Sequence, residues 1–365
     1  MSDALWIILW VAVALALIKL HTAFWTNYFD LRRRGDQVHY ATTEDGWQIA
    51  LHRYLPAEVK FKEPVFLCHG MGANRNNFDL MDDRSLARDL RDRGFDVWAV
   101  ELRGTGFSTR PKWYQPHRWT YSFDDYLKQD LPAALSLVRQ ATGAERILWV
   151  GHSMGGLLGY AWLGRRGEHG LAGLVAVSSP LLLGQTRVVR ILRPFVWLMT
   201  MTRVVAFRPS ARFFSPLMGW PPGWISRISI AKGGMRGPVL RRCMVNLVEN
   251  TTAAILRQFL RWSKAGAFES RSGEEDYLAN LKKIEEPVLI MAADADNLAS
   301  PPAVTPAYQR IGSEDKQLRI FGKDRGDDCE FGHGDILLGD QAREVVFPEI
   351  MEWLESHASQ EGDHS

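Results

Sequence analysis

Short apolar runs rich in strand-forming residues alternate with helical patterns along most of this chain. The apolar runs occupy residues 64–68, 95–100, 147–150, 174–178, 288–291 and 318–321, and helical patterns cover 85–93, 123–139, 157–165 and 341–355. Near-continuous apolar strands separated by helices are typical of a parallel sheet that is covered on both faces. The alternation therefore predicts an α/β fold.

An antiparallel hairpin is predicted before this alternation begins. The β-rich stretches 38–42 and 47–54 flank the turn Glu44-Asp45-Gly46. With the six apolar runs, the hairpin gives a mostly parallel sheet of eight strands, and we expect the hairpin to lie at one edge of it.

The alternation breaks once, for about a hundred residues after the sixth strand, which is too long for a connecting loop. We therefore expect a core built from residues 36–180 and 281–357, with a helical cap, or lid, inserted at 181–280. Residues 358–365 are expected to form a disordered tail.

A glycine-rich turn joins the strand at 147–150 to the following helical pattern. Its sequence is Gly151-His152-Ser153-Met154-Gly155, a G-x-S-x-G motif in the strand–turn–helix setting of a nucleophile elbow. Such a turn strains the serine backbone, and a Cβ at Gly151 or Gly155 would collide with neighbouring backbone. Ser153 is the candidate nucleophile.

A serine hydroxyl needs a base and an orienting acid, which follow this motif in the order Ser, acid, His. Two acids, Asp294 and Asp296, follow the strand at 288–291, and we prefer Asp296 because it begins a D-x-L-x-x-P turn. His333, flanked by two glycines after the last strand, is the candidate base.

An oxyanion formed at the serine would need two backbone donors. We expect them to be the N–H groups of Met154, directly after the nucleophile, and of Met71, in the loop after the third strand.

No cofactor or metal ion is expected. Nucleotide-binding and dinucleotide-binding glycine motifs and the H-E-x-x-H zinc motif do not occur in the sequence. The acidic loop before His333 mixes Asp, Glu and Cys at irregular spacing, which favours a solvated loop over a metal site.

The N-terminus begins with an apolar segment. Residues 4–18 are fifteen consecutive apolar residues, followed by Lys19 and then Phe24-Trp25. We expect residues 1–25 to form a single-pass membrane anchor, since the start lacks the basic region and cleavage site typical of a signal peptide, the alternative interpretation. Asp3 precedes the segment and Lys19 and Arg32-Arg33-Arg34 follow it, which favours a cytoplasmic catalytic domain.

The net charge of +2 conceals a basic cap. Between Leu181 and Phe268 there are fourteen Arg or Lys residues and one acid, Glu249. These residues are interleaved with large apolar groups, among them Phe195, Trp197 and Trp224. One interpretation is an ordinary helical subdomain with a solvated basic face; the other is an acyl-binding lid that lies on an anionic membrane. No nucleic-acid partner is expected.

Several segments together resemble the acid-lipase branch of the α/β-hydrolases. The similar segments are Thr43-Glu44-Asp45-Gly46, Gly94-Phe95-Asp96-Val97-Trp98, Tyr121-Ser122-Phe123-Asp124-Asp125, Asp130-Leu131-Pro132-Ala133, Arg261-Trp262-Ser263 and 332–338. The resemblance implies cofactor-free hydrolysis of lipid-like esters by Ser153, Asp296 and His333. Two departures are Met154, where these lipases usually carry Gln, and an anchor in place of a secretory signal.

We therefore expect a serine hydrolase that cleaves a lipophilic carboxylic ester through an acyl-enzyme. An acyltransferase that uses the same acyl-enzyme and a catalytically silent hydrolase-like binding protein are the alternatives.

Overall fold

The computed structural model describes residues 3–33, 35–112, 114–165, 170–220 and 226–360. Its main sheet contains eight strands in the order β1-β2-β4-β3-β5-β6-β7-β8. They are β1 (Gln37–Thr42), β2 (Gln48–Tyr54), β3 (Val65–Cys68), β4 (Val97–Glu101), β5 (Ile147–His152), β6 (Leu171–Val177), β7 (Val288–Ala293) and β8 (Lys316–Phe321). Strand β2 runs antiparallel to both β1 and β4, and the other pairs are parallel. The predicted mostly parallel sheet with an edge hairpin is confirmed.

Helices follow the strands in the predicted alternation. The longer ones are α1 (Asp3–Phe29), α2 (Leu86–Arg93), α3 (Leu131–Thr142), α4 (Met154–Leu163), α5 (Arg187–Met199), α6 (Phe207–Phe214), α7 (Gly237–Asn246), α8 (Ala253–Ala265) and α9 (Ala342–His357). Helix α3 continues without a break from the helical turn Phe123–Asp125 and the π-turn Tyr126–Asp130. Shorter helical segments include Arg75–Asn77, Tyr277–Asn280, Pro301–Val304, Pro306–Arg310 and Asp335–Leu338.

Alternate residues of the central strands face opposite sides of the sheet. Phe66 and Trp149 belong to one buried apolar cluster, and Leu67 and Val150 belong to the other. Side chains alternate along a strand, so a strand that is apolar at every position buries both of its faces. Helices α3 and α4 contribute to the first cluster, and α2 and α9 contribute to the second.

The segment between β6 and β7 contains helices α5 to α8 and a short pairing of Val204–Val205 with Thr251–Thr252. It is tied to two loops of the core. The Glu249 N–H donates to the Gly72 carbonyl at 2.7 Å, and the Gly334 N–H donates to the Ser229 carbonyl at 2.8 Å. This cap segment therefore contacts the loops that follow β3 and β8. Trp224, one of the aromatic residues expected in the cap, lies outside the described residues.

Helix α1 is longer than the predicted anchor and its last turns contact the cap. Its 27 residues extend four positions beyond Trp25, to Phe29, and the segment from Leu5 to Leu20 is exposed. The Asn246 side-chain amide donates to the Phe29 carbonyl at 3.0 Å. In the described part of the chain, α1 is the one helix long and apolar enough to cross a membrane, a test that an N-terminal signal sequence would also pass.

Ser359 and Gln360 pair with the core, past the predicted core end at residue 357. The Lys62 N–H donates to the Ser359 carbonyl at 2.9 Å, and Gln360 forms a β-bridge with Phe61. The rest of the predicted tail, 361–365, lies outside the described residues.

Candidate active site

Ser153 occupies a tight turn between β5 and α4. Its φ of 54° and ψ of −116° lie in a region that L-residues rarely adopt, and such a conformation costs about 1–3 kcal/mol. A Cβ on Gly151 would lie 2.4 Å from the Gly155 backbone, and one on Gly155 would lie 2.0 Å from the Cys68 carbonyl oxygen. Only glycine fits at these two positions, because the turn, α4 and the end of β3 approach one another closely.

The structure brings Ser153, His333 and Asp296 into one line of contacts. The Nε2 atom of His333 lies 3.0 Å from Ser153 Oγ, and its Nδ1 atom lies 2.9 Å from Asp296 Oδ2. The three residues follow β5, β8 and β7, whose carboxyl ends meet at one edge of the sheet. Residues distant in sequence thus lie in the serine–histidine–aspartate order that nucleophilic catalysis would require.

The Asp296 carboxylate is buried and fully hydrogen-bonded. Its other oxygen, Oδ1, accepts from the N–H groups of Leu298 and Ala299 at 2.8 and 2.7 Å. Burial alone would raise the pKa of Asp296, but His333 and these two donors outweigh it and hold the pKa below its usual value. Asp296 is therefore an anion at neutral pH.

Asp294, the competing acid, points elsewhere. Its Oδ2 atom pairs with Arg325 Nε at 3.0 Å, and the side chain of that arginine is 49% exposed. Of the two candidate acids, Asp294 therefore forms a surface ion pair, and Asp296 is the one that contacts His333.

The loop after β3 lies beside the nucleophile. A Cβ placed on Gly70 would be 3.2 Å from the Cβ of Ser153, and Met71 follows it directly. Met154 is the first residue of α4, so its N–H has no acceptor within the helix. Both predicted oxyanion donors therefore belong to backbone adjacent to Ser153.

His69 links this loop to the loop after β4. Its Nε2 atom accepts from the Leu102 N–H at 3.2 Å, which leaves Nδ1–H to donate to the Gly70 carbonyl at 2.8 Å. Burial lowers the pKa of His69, so the neutral ring is the stable form. His69 therefore holds the two loops together.

The roles of two residues near the site were not predicted from the sequence. His152 Nε2 lies 2.8 Å from the His333 carbonyl oxygen, and His152 Nδ1 lies 3.0 Å from Asn77 Oδ1, which also accepts from the Gly70 N–H at 3.3 Å. Burial, with a smaller effect from the nearby His333, lowers the pKa of His152 to about 3. This neutral imidazole connects the His333 loop to the Met71 loop. The position of His152 directly before Ser153 could have indicated a role near the site, but nothing in the sequence identifies its hydrogen-bond partners.

Asp335, the second of these residues, fastens the His333 loop to the cap. Its buried carboxylate accepts from the N–H groups of Gly332 and Ala231 at 3.0 and 3.2 Å. Burial raises the pKa of Asp335 to about 6, against the effect of these two donors. Across the described ranges, no group of three or more His, Cys, Asp or Glu side chains is placed to hold a metal ion.

The sequence matches the family model described as the alpha/beta hydrolase fold over residues 63–325. Lipase member K of Homo sapiens is 24% identical over 87% of this chain and 86% of its own length. Gastric triacylglycerol lipase of Rattus norvegicus is 37% identical over 34% of each chain, and triacylglycerol lipase 2 of Arabidopsis thaliana is 29% identical over 51% of this chain and 44% of its own. The alignments with these last two relatives thus span less than half of each relative's length.

Solved structures show the same fold at low sequence identity. An esterase from Exiguobacterium antarcticum superposes with a TM-score of 0.60 and 18% identity, covering 87% of this chain and all of that one. A bacterial membrane phospholipase A superposes with a TM-score of 0.57 and 18% identity, covering 97% and 98% of the two chains. With the family match over most of its length, the chain belongs to the α/β-hydrolase family and resembles its acid-lipase branch.

Proposed function

We propose that this protein is a membrane-anchored serine hydrolase that cleaves a lipophilic carboxylic ester. The observation that carries the proposal is the contact series Ser153 Oγ–His333 Nε2 and His333 Nδ1–Asp296 Oδ2, at 3.0 and 2.9 Å. A strained serine, a base within hydrogen-bond reach and a buried anionic acid are the parts that nucleophilic acyl transfer requires.

In the first half-reaction, Ser153 Oγ attacks the ester carbonyl carbon while His333 Nε2 takes the hydroxyl proton. Asp296 accepts the His333 Nδ1–H, which fixes the tautomer and stabilises the imidazolium ion. The N–H groups of Met71 and Met154 donate to the oxyanion. When the carbon–oxygen bond to the alcohol breaks, His333 returns the proton to the leaving oxygen and the acyl group stays on Ser153.

In the second half-reaction, a water molecule takes the place of the alcohol. His333 removes a proton from the water as it attacks the acyl carbon, and the same donors hold the second oxyanion. Collapse of this intermediate releases the carboxylic acid and returns the proton to Ser153 Oγ.

The exposed surface of the cap supports a lipid-like substrate. Large apolar side chains of the cap that are more than half exposed include Ile191, Phe195, Trp197, Leu198, Met201, Leu217 and Trp220. Arg187 and Arg190 of α5 are also at the surface, so basic and apolar groups share it. An exposed apolar patch of this kind marks a surface that meets a membrane or a partner. We assign the patch to an anionic membrane surface from which the ester is drawn.

The anchor places the cap next to that membrane. The last turns of α1 contact α6 and α7, with His21 Nε2 3.0 Å from the Phe213 carbonyl oxygen. A membrane-embedded α1 would therefore leave the bilayer beside the cap. The basic residues that follow the anchor orient the catalytic domain toward the cytoplasm.

Ester hydrolysis by the full-length protein and by S153A tests the proposal. The substrates are esters graded by acyl chain length, offered in detergent micelles and in vesicles, with free acid measured as the product. We expect S153A to lose activity by at least about 1,000-fold and the wild type to prefer longer chains. Added alcohol should leave free acid as the main product, whereas a predominant new ester would identify an acyltransferase. Equal activity of S153A and wild type would refute the proposal.

A further inference from the structure

A polar cavity of about 410 Å³ lies where the chain leaves α1 and meets the cap. Its walls come from the segment after α1, the Arg75–Asn77 turn, the loop after β4, and helices α6 and α7. Ser153, Asp296, His333 and Met71 do not line it. The cavity is therefore separate from the candidate active site.

The walls of this cavity carry an excess of positive charge. Six arginines line it, namely Arg32, Arg33, Arg75, Arg110, Arg208 and Arg212. Three carboxylates, Asp30, Glu101 and Glu249, also line it. Glu101 lies 3.2 Å from His52 Nε2 and 3.8 Å from Arg75 Nε and accepts from the Phe107 N–H, so it is already occupied.

Glu249, the one acid between Leu181 and Phe268, contacts two of these arginines. Its Oε1 atom accepts from Arg110 Nη2 at 2.7 Å, and its Oε2 atom lies 3.6 Å from Arg208 Nε. Its side chain is 4% exposed. One buried carboxylate thus faces two guanidinium groups, and its contact with the second is longer than a hydrogen bond.

Arg212 has no such carboxylate partner among the described residues. It lies four residues after Arg208 in α6, so both side chains project from the same face of the helix, where like charges repel. Other arginines of the wall have carboxylate neighbours: Arg33 and Arg75 pair with Asp79 at 3.0 and 3.4 Å, and Arg32 lies 3.8 Å from Asp30. The positive charge of Arg212 is therefore the one that no ion pair among the described residues neutralises.

We propose that this arginine-lined cavity binds a phosphate group. A phosphate supplies several anionic oxygens, and guanidinium groups bind such oxygens with paired N–H donors. The same group occurs in phospholipid headgroups and in free inorganic phosphate. A single phosphate would pair with the guanidinium group of Arg212 and reduce the repulsion between Arg208 and Arg212.

The position of the cavity favours the lipid headgroup as the source. At 1.5 Å per residue, the 27 residues of α1 span about 40 Å, which corresponds to a hydrocarbon core of about 30 Å together with most of the headgroup layers on both sides. Asp30 to Arg33 would then lie at the level of the phosphates. This placement rests on the proposed anchor, whereas binding of phosphate itself does not.

Binding is measured on the full-length protein in detergent, in the S153A background so that no probe is hydrolysed. Thermal unfolding is followed with increasing inorganic phosphate, and separately with dihexanoyl phosphatidic acid, at constant ionic strength set by sodium chloride. We expect saturable stabilisation, and we expect R212Q to weaken the apparent affinity by about tenfold or more. K282Q/K283Q, which removes two exposed charges outside both the cavity and the cap, should bind as tightly as the parent.

Each outcome decides the proposal. Stabilisation by both probes supports a phosphate site that free phosphate can fill, and stabilisation by the lipid alone assigns the site to headgroups. R212K, which retains the charge but not the planar fork, should bind with intermediate affinity and shows that R212Q has not acted by misfolding. The proposal is overturned if neither probe stabilises the parent, or if R212Q binds as the parent does. Because hydrolysis is not measured, a negative result here leaves the proposed catalysis unaffected.

Discussion

Burial and hydrogen bonding act on the pKa of Asp296 in opposite directions. Burial favours the neutral acid, while His333 and two backbone N–H groups favour the anion and prevail. The same donors fix the carboxylate so that its free oxygen faces His333 Nδ1. The residue therefore controls which nitrogen of His333 carries the proton.

The substitution Asp296→Asn should disable catalysis while leaving the fold intact. The introduced side-chain amide could donate a hydrogen bond to His333 Nδ1, and the imidazole proton would then lie on Nε2. A protonated Nε2 could not accept the Ser153 proton. We expect kcat for a soluble short-chain ester to fall by about 10⁴-fold. D294N makes the same chemical change in the surface pair with Arg325 and should alter kcat by less than about threefold. If D294N lost as much activity as D296N, the assignment of the acid would be wrong.

Asp335 should make stability depend on pH between about 4 and 6. Its folded-state pKa of about 6 lies above the unfolded value of about 3.9, so its contribution to stability is complete at low pH and is lost as pH rises through 6. The free energy of unfolding, from urea titrations at pH 4.5 and 7.5, should therefore fall by about 2 kcal/mol more in the wild type than in D335N. If the free energy of unfolding changed equally with pH in the wild type and D335N, the Asp335 carboxyl would not be the cause of the pH dependence.

At the scale of elements, the close approach of α4 to β3 fixes the position of Ser153. Gly155 lies where the first turn of the helix meets the Cys68 carbonyl oxygen. Core positions with no free volume respond to added atoms by shifts of backbone, which typically cost about 1–3 kcal/mol and sometimes more.

G155A should consequently lower the urea midpoint by the equivalent of at least about 3 kcal/mol, because a backbone atom cannot rotate away. Gly237 offers a matched control, since it also lies in the first turn of a helix. A Cβ there would have its nearest contact at an ordinary 3.6 Å. G237A should be neutral or slightly stabilising, and an equal loss in both variants would show that the close approach is not the reason.

Elements with a strong local pattern were predictable from the sequence. The eight strands and the edge hairpin follow from the apolar runs and the turn residues. The π-turn before α3 was not predictable, because it leaves the helical pattern of 123–139 unchanged. Chain order also identified Ser153, Asp296 and His333 as neighbours. The contacts of His152, the docking of α1 on the cap and the arginine-lined cavity depend on residues far apart in sequence, and no local pattern records them.

At the scale of the whole molecule, a near-neutral chain separates its charges between parts. The basic cap contacts the end of the apolar helix α1 through α6 and α7. Attraction to anionic lipid and insertion of apolar groups would then act at the same face of the protein.

Removal of residues 1–20 should separate these two effects while retaining the docked turns of α1. The truncated protein should hydrolyse a soluble short-chain ester at a rate within about twofold of the full-length protein, because α1 does not contribute to the site. Its binding to vesicles should still increase with anionic lipid content, at about 1 kcal/mol for each cap arginine near the surface.

The double variant R187Q/R190Q in the truncated protein should therefore bind anionic vesicles about 30-fold more weakly. K282Q/K283Q removes two exposed charges outside the cap and should bind unchanged. Vesicle binding that is independent of anionic lipid in the truncated protein would refute the membrane role of the cap.

Covalent labelling with a fluorophosphonate tests the central claim most directly, because the reagent reacts with a serine only when a neighbouring base activates it. Peptide mapping of the full-length protein should place one adduct on Ser153, abolished in S153A and slowed by at least about 100-fold in H333Q, with all three proteins folded by circular dichroism. The proposed serine hydrolase would be contradicted if the folded wild-type protein formed no adduct on Ser153. It would also be contradicted if the reagent labelled H333Q as fast as it labels the wild type.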